Sequence, residues 1–301
     1  FFMDISSEMV INIIPLFLAN VLGMKTGIIG LIEGFAEATA SILKLFSGWF
    51  SDKLGQRKWL AVAGYGLSAL TKPLFYFAGS WGTIAGIRWM DRVGKGIRTA
   101  PRDALVADSV SKDIRGLAFG FHRAMDTAGA MTGLIIAGLA VWLAQASSIT
   151  LTRSTFRTIV LISIIPAFLS VLSLIIGAKE MKKQQQAKLP SFSFRDMGKP
   201  FILFVITVGI FTLGNSSDAF LVLRAQNLGV SVIGIMLMLI MFNLIYSIIS
   251  TPAGILSDKI GRKKLIIGGW IVYALIYFGF AIAGKSWHIW TLYALYGVYY
   301  G

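Results

Sequence analysis

Cysteine is absent from the 301-residue sequence, which excludes disulfides, thiolate metal sites and cysteine nucleophiles. Also missing are a Gly-x-Ser-x-Gly elbow and a His-Glu-x-x-His pair, and no phosphate-cradling loop is expected. The chain therefore reads as neither an enzyme nor an ATP-driven pump, with no metal and no cofactor. Charge is scarce: 14% of residues are Asp, Glu, Lys or Arg against 56% hydrophobic, and the mean hydropathy is +0.74. A soluble domain needs a more polar surface, so lipid is expected to cover much of the molecule. Acids are scarcer than bases, 14 against 28, for a net charge of +14. In a soluble protein that excess would point to nucleic acid. Here the bases gather in loops on one side, which the positive-inside rule explains without a nucleic-acid partner.

What the sequence does contain is a series of apolar runs near the length needed to cross about 30 Å of hydrocarbon. Six are expected at 1–22, 28–50, 59–78, 81–106, 117–143 and 158–176, and four more at 201–223, 232–253, 265–283 and from 287 onward. The polar stretch 179–200 between them reads as a basic cytoplasmic linker. This gives an N-terminal six-helix bundle over 1–178 and a C-terminal bundle over 201–301, incomplete in this chain. Basic loops carrying Lys53, Arg57, Lys58, Lys112, Arg115, Lys263 and Lys264 alternate with loops of little charge, so an inner-membrane, multi-pass protein with the basic loops inside is expected. The first span carries Asp4 and Glu8 without a basic flank, unlike a cleavable signal peptide. Because both ends fall inside apolar runs, the chain is expected to be part of a longer protein.

An internal repeat organises these spans. Gly48-Trp-Phe-Ser-Asp52-Lys-Leu-Gly55-Gln-Arg57-Lys58 recurs as Gly254-Ile-Leu-Ser-Asp258-Lys-Ile-Gly261-Arg262-Lys-Lys264, each copy after the second span of its half. This paired loop resembles the signature of the major facilitator superfamily, and Arg88-Trp-Met-Asp91-Arg92-Val-Gly94 resembles the family's fourth-helix pattern. Gln56 stands where the family usually has a base, and the fifth span lacks the Gly-Pro pair of drug antiporters. The resemblance implies two six-helix bundles, a bacterial branch related to drug antiporters, and alternating access. It also implies a conformational latch built from Gly48, Asp52, Gly55, Arg57 and Asp108, echoed by Gly254, Asp258, Gly261 and Arg262.

Charges inside membrane spans cost about 2.5–3.5 kcal/mol each on insertion scales and so face a bundle interior or a wet cavity. Glu8 and Asn12 share a face of the first span with Asp4, as Glu33 and Glu37 do on the second. Two carboxylates one turn apart repel each other, which makes either a candidate proton carrier; a structural ion-pair network is the alternative. Arg88, Asp91, Arg92, Lys95, Arg98 and Arg102 form a ladder on the fourth span. It could grip an anionic solute through guanidinium forks or pair with acids of neighbouring spans. Arg92, halfway along, is the guanidinium expected to lack a local protein partner. His122, Arg123 and Asp126 on the fifth span, and Asn215 and Asp218 on the seventh, complete the polar set expected to form a substrate or proton pathway. The leading expectation is a monomeric secondary transporter, proton-coupled and exporting a small solute. The alternatives are a carrier for an anionic metabolite and, in another class, a channel or receptor.

Overall fold

The computed structural model describes residues 1–146, 148–180 and 198–301, with the side chains of Ser257, Asp258, Ile260 and Arg262 outside the description. Most of the expected linker thus lies outside the described residues. The chain runs through α1 (Phe2–Ile11), α2 (Ile14–Asn20), α3 (Thr26–Leu54), α4 (Lys58–Phe77), α5 (Trp81–Asp108), α6 (Arg115–Gln145) and α7 (Arg153–Gly177). It continues through α8 (Lys199–Leu213), α9 (Asp218–Asn227), α10 (Val232–Ile260), α11 (Arg262–Ile282) and α12 (Ser286–Tyr300). No strand occurs among the described residues. Six stretches satisfy length and apolarity for a membrane span, and the charge-rich α5 is not among them.

Two expected spans are broken. The first divides at Asn12 and Ile13, where Pro15, near the start of α2, supplies no backbone N–H to continue the α1 ladder. Asn12 Nδ2 satisfies the frayed end of α1 by donating to the Glu8 carbonyl at 3.1 Å. The seventh span divides between Leu213 and Asp218, and Ser217 caps α9 by accepting from the Ala219 N–H at 3.3 Å. The two loop copies are offset by 206 residues, which carries Asn12 at the first break to Asp218, just past the second, so the two breaks are neighbouring and not equivalent positions of the repeat. Glycines with positive φ obey the same offset: Gly23 (66°) with Gly229 (85°), and Gly55 (65°) with Gly261 (88°).

The first seven helices pack mainly on one another, α4 and α3 against α5, and α6 and α7 against α1; α11 and α10 pack on α12. Close approach of α4 to α5 depends on Gly64 and Gly94, since a Cβ on Gly94 would stand 2.6 Å from Ser68 Oγ. Gly129 and Gly133 likewise seat α6 on the α1 backbone, whereas Gly82, Gly86, Gly116 and Gly120 meet nothing within 4 Å. The two groups of helices meet chiefly where α10 lies on α6 and where α9 touches α2 and α3. Residues 279–286 carry the Gly-x-x-x-x-Gly-Lys-Ser spacing of a phosphate loop, against expectation. Gly279 lies within α11 and Ser286 opens α12 with no strand before them, so the spacing has no phosphate-loop structure behind it.

Candidate functional site

Between the two groups lies a cavity of about 920 Å³, lined by α1, α3 and α5 on one side and by the α8–α9 break and Tyr300 on the other. Its α5 wall begins with Arg88, 1% exposed, which grips Glu33 with both Nε (3.0 Å) and Nη2 (2.6 Å). One turn on, Arg92 Nη2 pairs with Glu37 at 2.7 Å. The expected pair of mutually repelling glutamates is thus divided between two arginines, and the expected vacancy beside Arg92 is taken by Glu37. Asp91 points away from the cavity to Lys72 on α4, 3.3 Å away, with Arg88 Nη1 at 3.6 Å. Both Lys72 and Asp91 are buried, at 0% and 4% exposure.

Three charged groups at the cavity have no counter-ion within 4 Å among the described residues: Lys95, Glu8 and Asp218. Lys95 is exposed, and Glu37, the acid nearest it on α3, is held by Arg92. Glu8 accepts from Asn12 Nδ2 at 2.8 Å. Asp218 accepts from the Tyr296 hydroxyl at 2.9 Å and stands at the first position of α9, where free backbone N–H groups favour a carboxylate. Asn215 Oδ1 accepts from the Tyr273 hydroxyl at 2.5 Å, and Tyr277 reaches Ser216 at 3.3 Å. One wall is therefore built on arginine–glutamate pairs, and the other presents Asp218, Asn215 and Ser216 backed by tyrosine hydroxyls.

The remaining expected site residues lie elsewhere. On α6, Asp126 pairs with His122 at 3.2 Å and Arg123 at 3.9 Å, and none of the three lines the cavity. At the face bearing the basic loops, Arg57 bridges Asp52 (3.3 Å) and Asp108 and donates to the Ala104 carbonyl at 2.8 Å. Gly55 ends α3 in the left-handed conformation, and Gly48 faces Ala100 on α5. In the second copy Gly261 shares only the positive φ, its ψ of 139° placing it outside the left-handed helical conformation of Gly55, and Gly254 meets nothing within 4 Å, while Asp258 and Arg262 lie outside the described side chains.

Four participants escape the sequence reading. Lys72 is a charge inside an apolar run and was detectable by the rule that flagged the others. Glu180 accepts from the Arg57 and Lys58 N–H groups at 2.8 and 2.9 Å, closing the start of α4. Asn20 and Gln226 exchange two hydrogen bonds, at 3.0 and 2.8 Å, at the face opposite the basic loops. Gln226 also donates to the Ile149 carbonyl at 2.7 Å, and Val232 N–H donates to the Ser148 carbonyl at 3.2 Å. All the hydrogen bonds between the two helix groups found among the described residues are at this end, which is sealed. Among the described residues no such bond is found toward the basic face, and Leu117 and Phe121 of α6 are exposed.

The family model described as Major Facilitator Superfamily matches residues 1–301. An uncharacterised MFS-type transporter of Methanocaldococcus jannaschii is 36% identical over 307 residues, covering 100% of this chain and 74% of that protein. An uncharacterised protein of Mycobacterium tuberculosis is 37% identical over 120 residues, 39% of this chain and 29% of its own. Among solved structures, a bacterial homologue of the human lysosomal transporter Spinster, in an inward-facing and occupied conformation, superposes with a TM-score of 0.72 at 14% identity, covering 100% of this chain and 70% of that one. The nucleoside transporter NupG, as its D323A mutant, gives 0.71 at 11%, covering 99% and 77%. At those identities the likeness speaks to fold alone.

Proposed function

The chain belongs to the major facilitator superfamily, and on that premise we propose that this secondary transporter exports a small cation-bearing or amphipathic compound in exchange for protons. As a family member it is a multi-pass membrane transporter of small molecules and not an enzyme. The observation that carries the export reading is the pair Glu8 and Asp218, two cavity carboxylates from opposite walls with no cation within 4 Å. The arginines that could have gripped an anion are already occupied by Glu33 and Glu37. A proton and a cationic group compete for the same carboxylates, and competition for one site is the simplest physical basis of exchange.

In this reading 1–178 and 201–301 are the two moving units and 179–200 their linker. The basic loops are cytoplasmic, the membrane is the plasma (inner) membrane, the protein acts as a monomer, and the seal at Asn20 and Gln226 makes the state inward-facing. Exchange of this kind would place the chain near the antiporter branches of the family. Proteoliposomes with an imposed pH gradient test it: a panel of small amines and aromatic cations should release internal protons, and Glu8→Gln and Asp218→Asn should each abolish that release. Solute movement indifferent to the gradient in the unmodified protein would overturn it. The exposed Lys95 favours a second reading, carriage of an anionic metabolite, which predicts movement of anions in the same vesicles and none of amines.

A further inference from the structure

The charges left over at the cavity are of both signs and stand apart. Asp218 stands on the wall opposite Lys95, and no ion pair within 4 Å joins Lys95 to Glu8 or Asp218 among the described residues. Lys95 has Arg92, Arg98 and Arg88 from its own helix and Glu37 from α3 as its charged neighbours. Arg92 holds Glu37 at 2.7 Å and Arg88 is closed onto Glu33, so no described protein carboxylate lies within 4 Å of the Lys95 ammonium. Alternating access requires the cavity to close around its solute, and closure removes the water that now solvates these groups. A plain cation would leave Lys95 uncompensated and add a like charge to it. A plain anion would leave Glu8 and Asp218 to be neutralised by protons, which in the export reading must depart as the solute binds. Only a solute bearing both groups supplies each pole with its counter-ion.

From this geometry we infer that the substrate class is a small zwitterion, its ammonium directed to Glu8 and Asp218 and its acidic group to Lys95. The inference deepens the export reading and rests on it for the acidic pole, while the Lys95 pole is independent of it. A volume of about 920 Å³ accommodates solutes from an amino acid to a short peptide. Thr212, Asn215 and Ser216, which also line the cavity, offer neutral hydrogen bonds to whatever joins the two charged ends. Lys95 is thereby a specificity-determining residue: it selects for the acid without taking part in proton exchange.

The test uses the whole chain in lipid nanodiscs and three matched forms of each of several amino acids and dipeptides: the free zwitterion, its methyl ester and its N-acetyl derivative. Binding is read by ligand-dependent melting and by counterflow in vesicles. The free form should bind about ten- to hundred-fold more tightly than either blocked form, the range expected when a charge-assisted bond is lost. Lys95→Gln should remove that preference by weakening the free form alone, and Lys95→Arg should keep most of it. Equal binding of ester and free form, equal weakening of both by Lys95→Gln, or binding of none of the three forms would overturn the inference. Esters that bind well and depend on Asp218 would leave proton-coupled export standing without the zwitterion. Dependence on Lys95 without dependence on Glu8 or Asp218 would remove export and leave the anion carrier.

Discussion

Lys72 and Asp91 form the most deeply buried ion pair of the molecule's first half, and their behaviour on mutation separates structure from transport. Removing one partner strands the other in a low-dielectric interior, at a cost of about 3–5 kcal/mol in comparable buried pairs. Lys72→Met is therefore expected to lower Tm sharply, and the double variant Lys72→Met/Asp91→Leu to recover part of the loss, both measured by thermal unfolding in detergent. Arg88 tempers that recovery, since its Nη1 also faces Asp91 at 3.6 Å and has no hydrogen-bond acceptor of its own. Arg92 belongs to the same class. Its Nη2 is engaged by Glu37, so Arg92→Ala should reduce stability before it reduces ligand affinity, and Arg92→Ala/Glu37→Gln should restore stability. A drop in affinity at unchanged Tm would instead return Arg92 to the solute-binding role that its position alone recommends.

Among the elements, the ends of α3, α4 and α5 are tied by one arginine. Arg57 holds Asp52, Asp108 and the Ala104 carbonyl while its own N–H is taken by Glu180, three residues beyond α7. Arg57→Ala is expected to raise amide hydrogen exchange across 53–60 and at the end of α5, and Asp108→Asn to reproduce the second effect, both read by mass spectrometry. Unchanged exchange in the two variants would mean that topology, and not this contact, accounts for the motif. That Arg57, Asp52 and Asp108 would be found together was expected only from the family resemblance, since no spacing within the sequence pairs them. Glu180 was not, because one acid in a basic run has no pattern to announce that it caps a helix. Helices at the ten expected stretches were legible from apolar length, yet the interruptions of the first and seventh were not, since a hydropathy run continues through Ile13 and across Gly214 whether or not the hydrogen-bond ladder does. Along the ladder of α5 the spacing marked which side chains share a face. It could not say which of them neighbouring helices would neutralise, because that depends on the depth at which Glu33 and Glu37 arrive opposite.

At the scale of the whole molecule the seal joins equivalent residues of the two repeats, for Asn20 and Gln226 are separated by the same 206 positions as Asp52 and Asp258. Because the chain has no cysteine of its own, Asn20→Cys/Gln226→Cys introduces the only thiols and makes a clean test. Cross-linking should block transport and reduction should restore it, while Asn20→Ala should increase labelling of a single cysteine at Ala219 from the sealed side. Transport that continues with the cross-link in place would show that this end does not open. The break in the seventh span gives that seal a further meaning. Asp218 begins α9 and Gln226 lies at its other end, so one rigid rod of ten residues, about 15 Å long, has the cavity acid at one tip and the closing amide at the other. Whatever neutralises Asp218, proton or ammonium, need be felt over only half the thickness of the hydrocarbon, along a single lever, for the far side of the membrane to register that the site is filled.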